Sequence, residues 1–184
     1  MKPAPIAALL ALPVVLVLAF SLFADGRAPS AALGVPLPPF TQRSPEAWLN
    51  SPPLAVESLR GKVVLIDFWA FECWNCYRSF PWLKSLEAHF SDKAFTVVGV
   101  HSPEFERERN IENVKSKAGE FGLQHPIMID NDFAFWRAMG NRYWPAYYLV
   151  DKQGLVRYAF VGETHAGDAQ ARRIQSAVAS LIAE

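Results

Sequence analysis

One stretch of the chain limits the fold more than any other: an apolar run that ends just before two cysteines. The run is Val63–Trp69, and its only acidic member is Asp67. A continuous apolar run of this length is typical of a central strand that is covered on both faces of a sheet. Residues 77–90 then show apolar side chains at helical spacing, so we expect the cysteines to lie between a buried strand and a helix.

The chain has only two cysteines, Cys73 and Cys76, three positions apart. A disulfide that closes so short a loop contributes little stability, so the pair is suited to being made and broken. At the start of a helix, the first sulfur faces unpaired N–H groups that favour the thiolate. We therefore predict that Cys73 is the attacking nucleophile and Cys76 the resolving thiol. A zinc site would need a second pair of ligands at such spacing, and the sequence has none.

Strand and helix patterns alternate along the rest of the chain. Predicted strands cover residues 48–49, 54–56, 63–69, 94–100, 126–129, 146–150 and 155–161, and predicted helices 77–90, 102–121, 132–139 and 169–182. The last two strands are joined by a turn that ends in Gly154, which indicates a hairpin. This order predicts an α/β fold with a mixed central sheet flanked by helices.

The N-terminal segment, residues 1–24, has the pattern of a signal anchor or a signal peptide. Lys2 precedes an uncharged apolar run, residues 6–24, whose length is close to the roughly 20 residues that span a bilayer. The basic residue before the run favours an N-terminus inside the cell and the rest of the chain outside. Both the uncleaved and the cleaved alternative predict a periplasmic or other extracytoplasmic location, where disulfides persist. Residues 25–45, rich in Pro, Ala and Gly, are interpreted as a linker, and residues 46–184 as the folded domain.

Charge gives no indication of a nucleic-acid partner. The chain has 18 basic and 18 acidic residues and a sequence pI near 6.9. The alternating charges of residues 104–109 are interpreted as the solvated face of a helix. No additional apolar stripe requires burial against a second copy, so we expect a monomer.

Several separated motifs resemble those of thioredoxins. The segment from Val64 to Cys76 resembles the active-site strand and turn of that family. Further agreement comes from the segments Leu59-Arg-Gly-Lys62, Val97-Val-Gly-Val-His101 and Asn141-Arg-Tyr-Trp-Pro145. Together they resemble the TlpA-like and DipZ-like branch of exported thioredoxins, from about residue 48 to the C-terminus.

The resemblance implies a thioredoxin-like fold and an exported thiol:disulfide oxidoreductase. Members of this branch act as periplasmic or membrane-tethered exchangers, and many deliver reductant for cytochrome c maturation. The partners it implies are the thiols and disulfides of client proteins and a membrane thiol donor. It implies no metal and no organic cofactor, only the redox-active disulfide of Cys73 and Cys76.

Two further residues take roles from the resemblance. Asp67 matches the buried acid of thioredoxins, six residues before the first cysteine. A desolvated carboxylate has a raised pKa and is able to relay the proton of the resolving thiol. The alternative is a carboxylate satisfied by hydrogen bonds or by a lysine. Pro145 matches the family's cis-proline, which would present the backbone of Trp144 to an extended client.

The expected client groove consists of Trp69, Trp74, Asn75 and Trp144, although core packing is an equal interpretation for Trp69. The pair Trp74-Asn75 stands where better-known thioredoxins have Gly-Pro or Pro-His. Because no histidine lies between the cysteines and Glu72 precedes them, we expect a poorly stabilised thiolate and a low reduction potential. This favours a reductase over an oxidase.

Two other functions remain open at this stage. An exported copper-binding module of thioredoxin fold would need a distal histidine, and His101 or His125 would have to serve. A peroxiredoxin would need a lone peroxidatic cysteine on a Pro-x-x-x-Thr-x-x-Cys turn, which the sequence lacks. His89 and His165 are expected on helix surfaces, whereas His101 ends a strand and is a candidate neighbour of the cysteines.

Overall fold

The computed structural model describes residues 34–184, so the predicted anchor (1–24) and the first part of the predicted linker lie outside the described residues. The strands are β1 (Val35–Pro36), β2 (Trp48–Leu49), β3 (Val63–Trp69), β4 (Phe95–His101), β5 (Ile127–Ile129), β6 (Ala146–Val150) and β7 (Leu155–Val161). The α-helices are α1 (Trp74–His89), α2 (Ile111–Phe121), α3 (Ala134–Ala138) and α4 (Ala169–Ala183). Within residues 34–184, no helix is long and apolar enough to span a bilayer.

The strands form one mixed sheet in the order β1-β7-β6-β3-β4-β5-β2. Strand β3 lies at its centre, parallel to β4 and antiparallel to β6. Every residue of β3 is buried, as its continuous apolar run predicts. The predicted α/β fold with a mixed sheet is confirmed, and the centre of the sheet leads directly into the cysteines.

The two faces of the sheet carry separate apolar clusters. Successive side chains of β3 alternate, so Leu65 and Trp69 enter one cluster and Ile66 and Phe68 the other. The first cluster contains the two cysteines and side chains of α1, α2 and α4. Asp67 is on the same face of β3 as Leu65 and Trp69, so it lies on the side of the sheet where the cysteines lie.

The predicted linker extends too far toward the C-terminus. Strand β1 pairs with β7, and Leu37 and Phe40 are buried in the second cluster. Phe40 packs against Trp48 and Phe135, at ring-centroid distances of 5.3 and 5.1 Å. These apolar side chains lie among the prolines of the segment, and their burial makes residues 34–45 part of the folded domain.

Two local predictions were wrong. Residues 54–56 do not form a strand, since a 3-10 helix over Val56–Leu59 places its first and last side chains in the core. The predicted helix 102–121 is broken into a 3-10 turn over Glu106–Arg109 and helix α2. The break occurs at Asn110, whose side chain accepts the N–H groups of residues 112 and 113 and starts a new helix. The predicted stop at Gly122 is confirmed, with φ of 69°.

Candidate active site

Cys73 and Cys76 form a disulfide at the start of α1, with their Cα atoms 5.2 Å apart. Cys73 is the N-cap residue of the helix, and Cys76 lies in its first turn. Cys73 is 7% exposed, whereas Cys76 is fully buried. Cys73 is thus the more exposed of the two, as an attacking thiol must be, because only the attacking thiol has to reach a client.

A buried glutamate ties this turn to the neighbouring loop. Glu108 is fully buried, and its carboxylate accepts the backbone N–H groups of Glu72, Glu104 and Phe105 at 2.8, 2.5 and 2.8 Å. The interpretation of residues 104–109 as a solvated face is therefore wrong for Glu108. The sequence carries a signal for this role, since a glutamate three residues into a helical turn is the capping position.

The charge of Glu72, directly before the nucleophile, is offset. Its carboxylate forms an ion pair with the guanidinium of Arg107. From the sequence alone, Glu72 is expected to oppose thiolate formation at Cys73. The ion pair weakens that effect, because a paired charge exerts a smaller field on its surroundings.

Asp67 is buried on the cysteine-bearing side of the sheet without a hydrogen bond from residues 34–184. Neither of its carboxylate oxygens has a partner among residues 34–184. Burial raises the pKa of Asp67 to about 7, while the charge of His125 lowers it and that of Glu87 raises it. The alternative of a carboxylate satisfied by hydrogen bonds or by a lysine is wrong.

Trp69 does not line a groove. Its side chain is fully buried, because it projects from β3 toward the helix-covered face, where it packs against Phe80 and His101. His101 lies between the rings of Trp69 and Phe71, at centroid distances of 4.8 and 5.8 Å. Burial lowers the pKa of His101 to about 3, so the ring is neutral at physiological pH. Of the two interpretations of Trp69, core packing is confirmed.

The peptide bond between Trp144 and Pro145 is cis, as the resemblance implies. The indole of Trp144 donates a hydrogen bond to the carbonyl oxygen of Ser102 at 3.0 Å. The hydroxyl of Ser102 in turn donates to the carboxylate of Asp130 at 3.1 Å. On the other side, the side chain of Asn141 donates to the carbonyl oxygen of Tyr143 at 3.1 Å. The ring of Trp144 is thus fixed to the residue that follows β4, and the carbonyl group before Trp144 is held by Asn141 of the same loop.

Trp74 and Asn75, the two residues between the cysteines, are exposed. The Trp74 side chain is 61% exposed, and its ring packs against Tyr77 at 5.2 Å. The guanidinium of Arg78 lies 5.6 Å from the same ring. An exposed indole held by its own helix beside the disulfide is a surface that an apolar client segment is able to contact.

The remaining histidines are not gathered at the cysteines. His125 is bound through Nδ1 to the carboxylate of Glu87 at 3.1 Å, and His89 is exposed on α1 as predicted. His165 lies in the loop before α4 rather than on a helix, and pairs with Glu163. Among residues 34–184, no group of three or more His, Cys, Asp or Glu side chains is placed to hold a metal ion.

The structure combines a buried strand, a Cys-x-x-Cys disulfide at a helix start and a cis-proline. The comparisons with known proteins identify the family that this combination represents. The family model described as Redoxin matches residues 32–175. The chain belongs to the redoxin family. Its relatives include the thiol-disulfide oxidoreductase YkuV of Bacillus subtilis, 31% identical over 81% of this chain and 95% of that one. The chain thus shares its family with a protein that is named as a thiol-disulfide oxidoreductase.

Two further likenesses extend this result. The DipZ protein of Mycobacterium tuberculosis is 46% identical over 119 residues, 63% of this chain but 17% of that protein. The chain spans less than a fifth of the length of the first curated relatives that it matches. A solution structure of a thioredoxin-like protein in the oxidized form superposes with a TM-score of 0.69 and 31% identity, over 83% of this chain and 97% of that one.

Proposed function

We propose that this redoxin is an extracytoplasmic reductase that passes two electrons from a membrane thiol donor to disulfides of client proteins. One observation carries the proposal: the disulfide opens α1 with Cys73 7% exposed and Cys76 fully buried. This is the asymmetry that a two-step exchange through a mixed disulfide needs.

In the first step the thiolate of Cys73 attacks a client disulfide. A mixed disulfide forms between Cys73 and the client, and the other client sulfur leaves as a thiolate. The first-turn N–H groups of α1 favour the thiolate of Cys73, and the ion pair of Glu72 with Arg107 limits the opposing negative charge.

In the second step Cys76 resolves the intermediate. Asp67 accepts the proton of the Cys76 thiol, and the resulting thiolate attacks Sγ of Cys73. The disulfide closes, the second client sulfur leaves, and the client has gained two electrons that the cysteine pair has lost. A buried carboxylate with a raised pKa suits this role, because it gains and loses a proton near neutral pH.

Clients would lie against Trp74 and Asn75 on one side and the Trp144–Pro145 segment on the other. The exposed indole of Trp74 offers apolar contact, and the hydrogen bond of Trp144 to Ser102 holds the opposite side in place. An extended client backbone beside the cis-proline would fit the backbone-mediated mode of peptide recognition. Trp69 has no part in this surface.

The direction and the location are proposals that rest on the sequence. No histidine lies between the cysteines to stabilise the thiolate, which favours a reductase. The uncharged run of residues 6–24 behind Lys2 supports tethering to the inner membrane with the domain outside. Clients of the cytochrome c maturation type would fit a reductant that acts outside the cytoplasm, and a monomer suffices for the mechanism.

Two measurements on the full-length chain test this function. The Cys73–Cys76 pair is equilibrated in thiol buffers, and a potential near or below about −220 mV supports a reductase. A potential near roughly −120 mV would make the protein an oxidant and reverse the direction of electron flow.

The second measurement is trapping in intact cells with the Cys76→Ser variant, which should accumulate mixed disulfides with clients through Cys73. The Cys73→Ser variant is the matched control and should accumulate none. Labelling of the free Cys73 thiol in Cys76→Ser protein that carries no client, with a membrane-impermeant thiol reagent, reports the location. Equal absence of mixed disulfides from both variants contradicts client exchange, and labelling only after lysis contradicts the extracytoplasmic location.

A further inference from the structure

Gly99 leaves a narrow space in the layer between the sheet and α1, too small for a methyl group unless Trp69, His125 or Ile127 moves. Gly99 lies on β4, in register with Asp67 on β3 and Ile127 on β5. A Cβ atom at Gly99 would lie 3.1 Å from the indole nitrogen of Trp69 and 3.2 Å from Nε2 of His125. These contacts are tighter than ordinary van der Waals distance, so a larger residue would press on both groups.

The polar groups around this space share one property. The carboxylate oxygens of Asp67, the indole nitrogen of Trp69 and Nε2 of His125 are all buried and have no hydrogen-bond partner among residues 34–184. Paired residues of neighbouring strands point to the same face, so the carboxyl group of Asp67 lies beside the space at Gly99. Buried polar groups are normally paired, and three unpaired ones around one glycine indicate a function rather than packing.

His125 connects this interior space with the protein surface. Its side chain is 2% exposed, and its Nδ1 lies 3.2 and 3.1 Å from the two carboxylate oxygens of Glu87 on α1. The Glu87 side chain is 28% exposed and borders a surface recess of about 290 Å³. One ring nitrogen of His125 thus faces the interior, and the other is bound to a carboxylate that water reaches.

We propose that His125, positioned by Glu87, carries the proton of Asp67 between the space at Gly99 and the protein surface. The inference rests on the proposed role of Asp67 as the group that accepts the proton of Cys76. It adds a positioning residue and an exit path that the redox chemistry of the cysteines does not by itself identify.

The proton balance closes over one redox cycle. When Cys76 resolves the mixed disulfide, its proton passes to Asp67 and from there to Nε2 of His125. The ring is then positively charged until Nδ1 gives its proton to Glu87, which passes it to water. When the donor reduces the disulfide again, a proton travels the same path inward and returns to the Cys76 sulfur. The second transfer restores the original tautomer of His125, so no separate ring rotation is needed.

Among residues 34–184, two side chains shift the pKa of Asp67 through their charge: His125, before β5, and Glu87, on α1. Tyr147 pairs with Asp67 from β6, but burial raises the pKa of its hydroxyl, so it stays neutral. His101 on β4 is neutral for the same physical reason. The cysteines of α1 complete the set of titratable groups in the cluster. A change of charge at either member of the pair should therefore be visible at Asp67.

The test follows the titration of Asp67 by carboxyl carbon NMR in the oxidised full-length protein, with the signal assigned by its loss in Asp67→Asn. His125→Gln should move the pKa of Asp67 upward by about one unit, because it removes the positive partner. Glu87→Gln should move it downward, because it removes the negative one. Opposite shifts from two changes that break the same hydrogen bond are a signature that a merely structural role would not produce. His89→Gln, on the exposed side of α1, is the matched control and should shift nothing.

Turnover is the second readout. His125→Gln and Glu87→Gln should each lower the steady-state rate of client reduction at pH 7 by about tenfold or more, a loss within the range of general acid–base effects. Gly99→Ala should lower it as well, because its methyl group would press on Trp69, His125 and Ile127 without removing any ionisable group. Gly119→Ala is the matched control, since a Cβ at that position meets no atom within 4 Å.

The outcomes separate this inference from the function on which it rests. If Asp67→Asn slows the resolution of the mixed disulfide but folded His125→Gln and Glu87→Gln proteins keep wild-type titration and turnover, the path through His125 is overturned. If Asp67→Asn leaves the rate of mixed-disulfide resolution unchanged, the proposed role of Asp67 as proton acceptor is itself contradicted. Should His125→Gln not fold, Glu87→Gln at the surface decides the question alone.

Discussion

The two buried carboxylates of Glu108 and Asp67 differ in their hydrogen bonding. Glu108 binds the backbone just before the Cys73–Cys76 turn, and Asp67 lies on the strand that leads into that turn. Glu108 accepts three backbone N–H groups, whereas Asp67 accepts no hydrogen bond from residues 34–184. Both side chains are excluded from water. The difference therefore lies in hydrogen bonding and not in depth.

The contrast separates a structural carboxylate from a chemical one. Three charge-assisted hydrogen bonds stabilise the ionised form of Glu108, which holds the backbone before Cys73 against the loop at residues 104–105. Asp67 accepts no hydrogen bond from residues 34–184, and burial raises its pKa to about 7 against the opposing charge of His125. A group that must take up and release a proton in each cycle needs this second environment.

The largest expected effect is on stability, and it comes from replacing Asp67 by asparagine. The unfolded chain loses the Asp67 proton near pH 4, while the folded protein holds it to about pH 7. Between these values the folded state binds more protons, so stability falls as pH rises, by about 4 kcal/mol over the window.

Urea unfolding of the oxidised protein at pH 4 to 8 measures this effect. In the Asp67→Asn variant the free energy of unfolding should not fall between pH 4 and pH 7. The stability of the variant relative to wild type should therefore be greater above pH 7 than at pH 4. Parallel stability curves for wild type and variant would mean that Asp67 titrates normally.

Unlike Asp67→Asn, the Glu108→Ala change should lower the free energy of unfolding. Loss of the carboxylate leaves the N–H groups of Glu72, Glu104 and Phe105 without their acceptor, at a cost of about 3 kcal/mol. Glu106→Ala, on the exposed side of the same turn, is the control and should change the free energy of unfolding by less than about 0.5 kcal/mol. An equal effect of both changes would remove the distinction between the two glutamates.

The smallest expected effect concerns Glu72, the third carboxylate at this turn. Arg107→Gln breaks its ion pair, but the arginine side chain is 73% exposed and well screened. We expect a loss of less than about 1 kcal/mol in stability. The uncovered charge should also slow alkylation of reduced Cys73 slightly, and more so at low salt. A rate that is independent of salt would show that Glu72 does not influence the nucleophile.

The sequence predicted the site where one local pattern determined it. The apolar run of β3, the cysteine spacing and the helix that follows fix Cys73 at a helix start, and the resemblance supplied Asp67 and the cis-proline. The mixed central sheet followed from the alternation of strand and helix patterns and the final hairpin, whereas the spatial order of the strands was not predicted.

Contacts between segments far apart in sequence were not predictable in this way. Nothing local to Glu87, Gly99 or His125 indicates that α1, β4 and the residue before β5 meet beside Asp67. The burial of Leu37 and Phe40 was hidden by the prolines around them, whose composition resembles that of a linker. Glu108 was hidden by its charged neighbours, which are exposed while it alone turns inward.

The role of Asp67 is tested most directly by the rate at which Cys76 resolves a mixed disulfide on Cys73, followed by stopped flow against pH. For the wild-type protein the rate should rise with a midpoint near pH 7, because the carboxylate must be ionised to accept the proton. In Asp67→Asn the midpoint should move toward the ordinary thiol value of about 8.5, with a rate at least about tenfold lower at pH 6.5. Superimposable profiles for the two proteins would contradict the assignment of Asp67 as the proton acceptor.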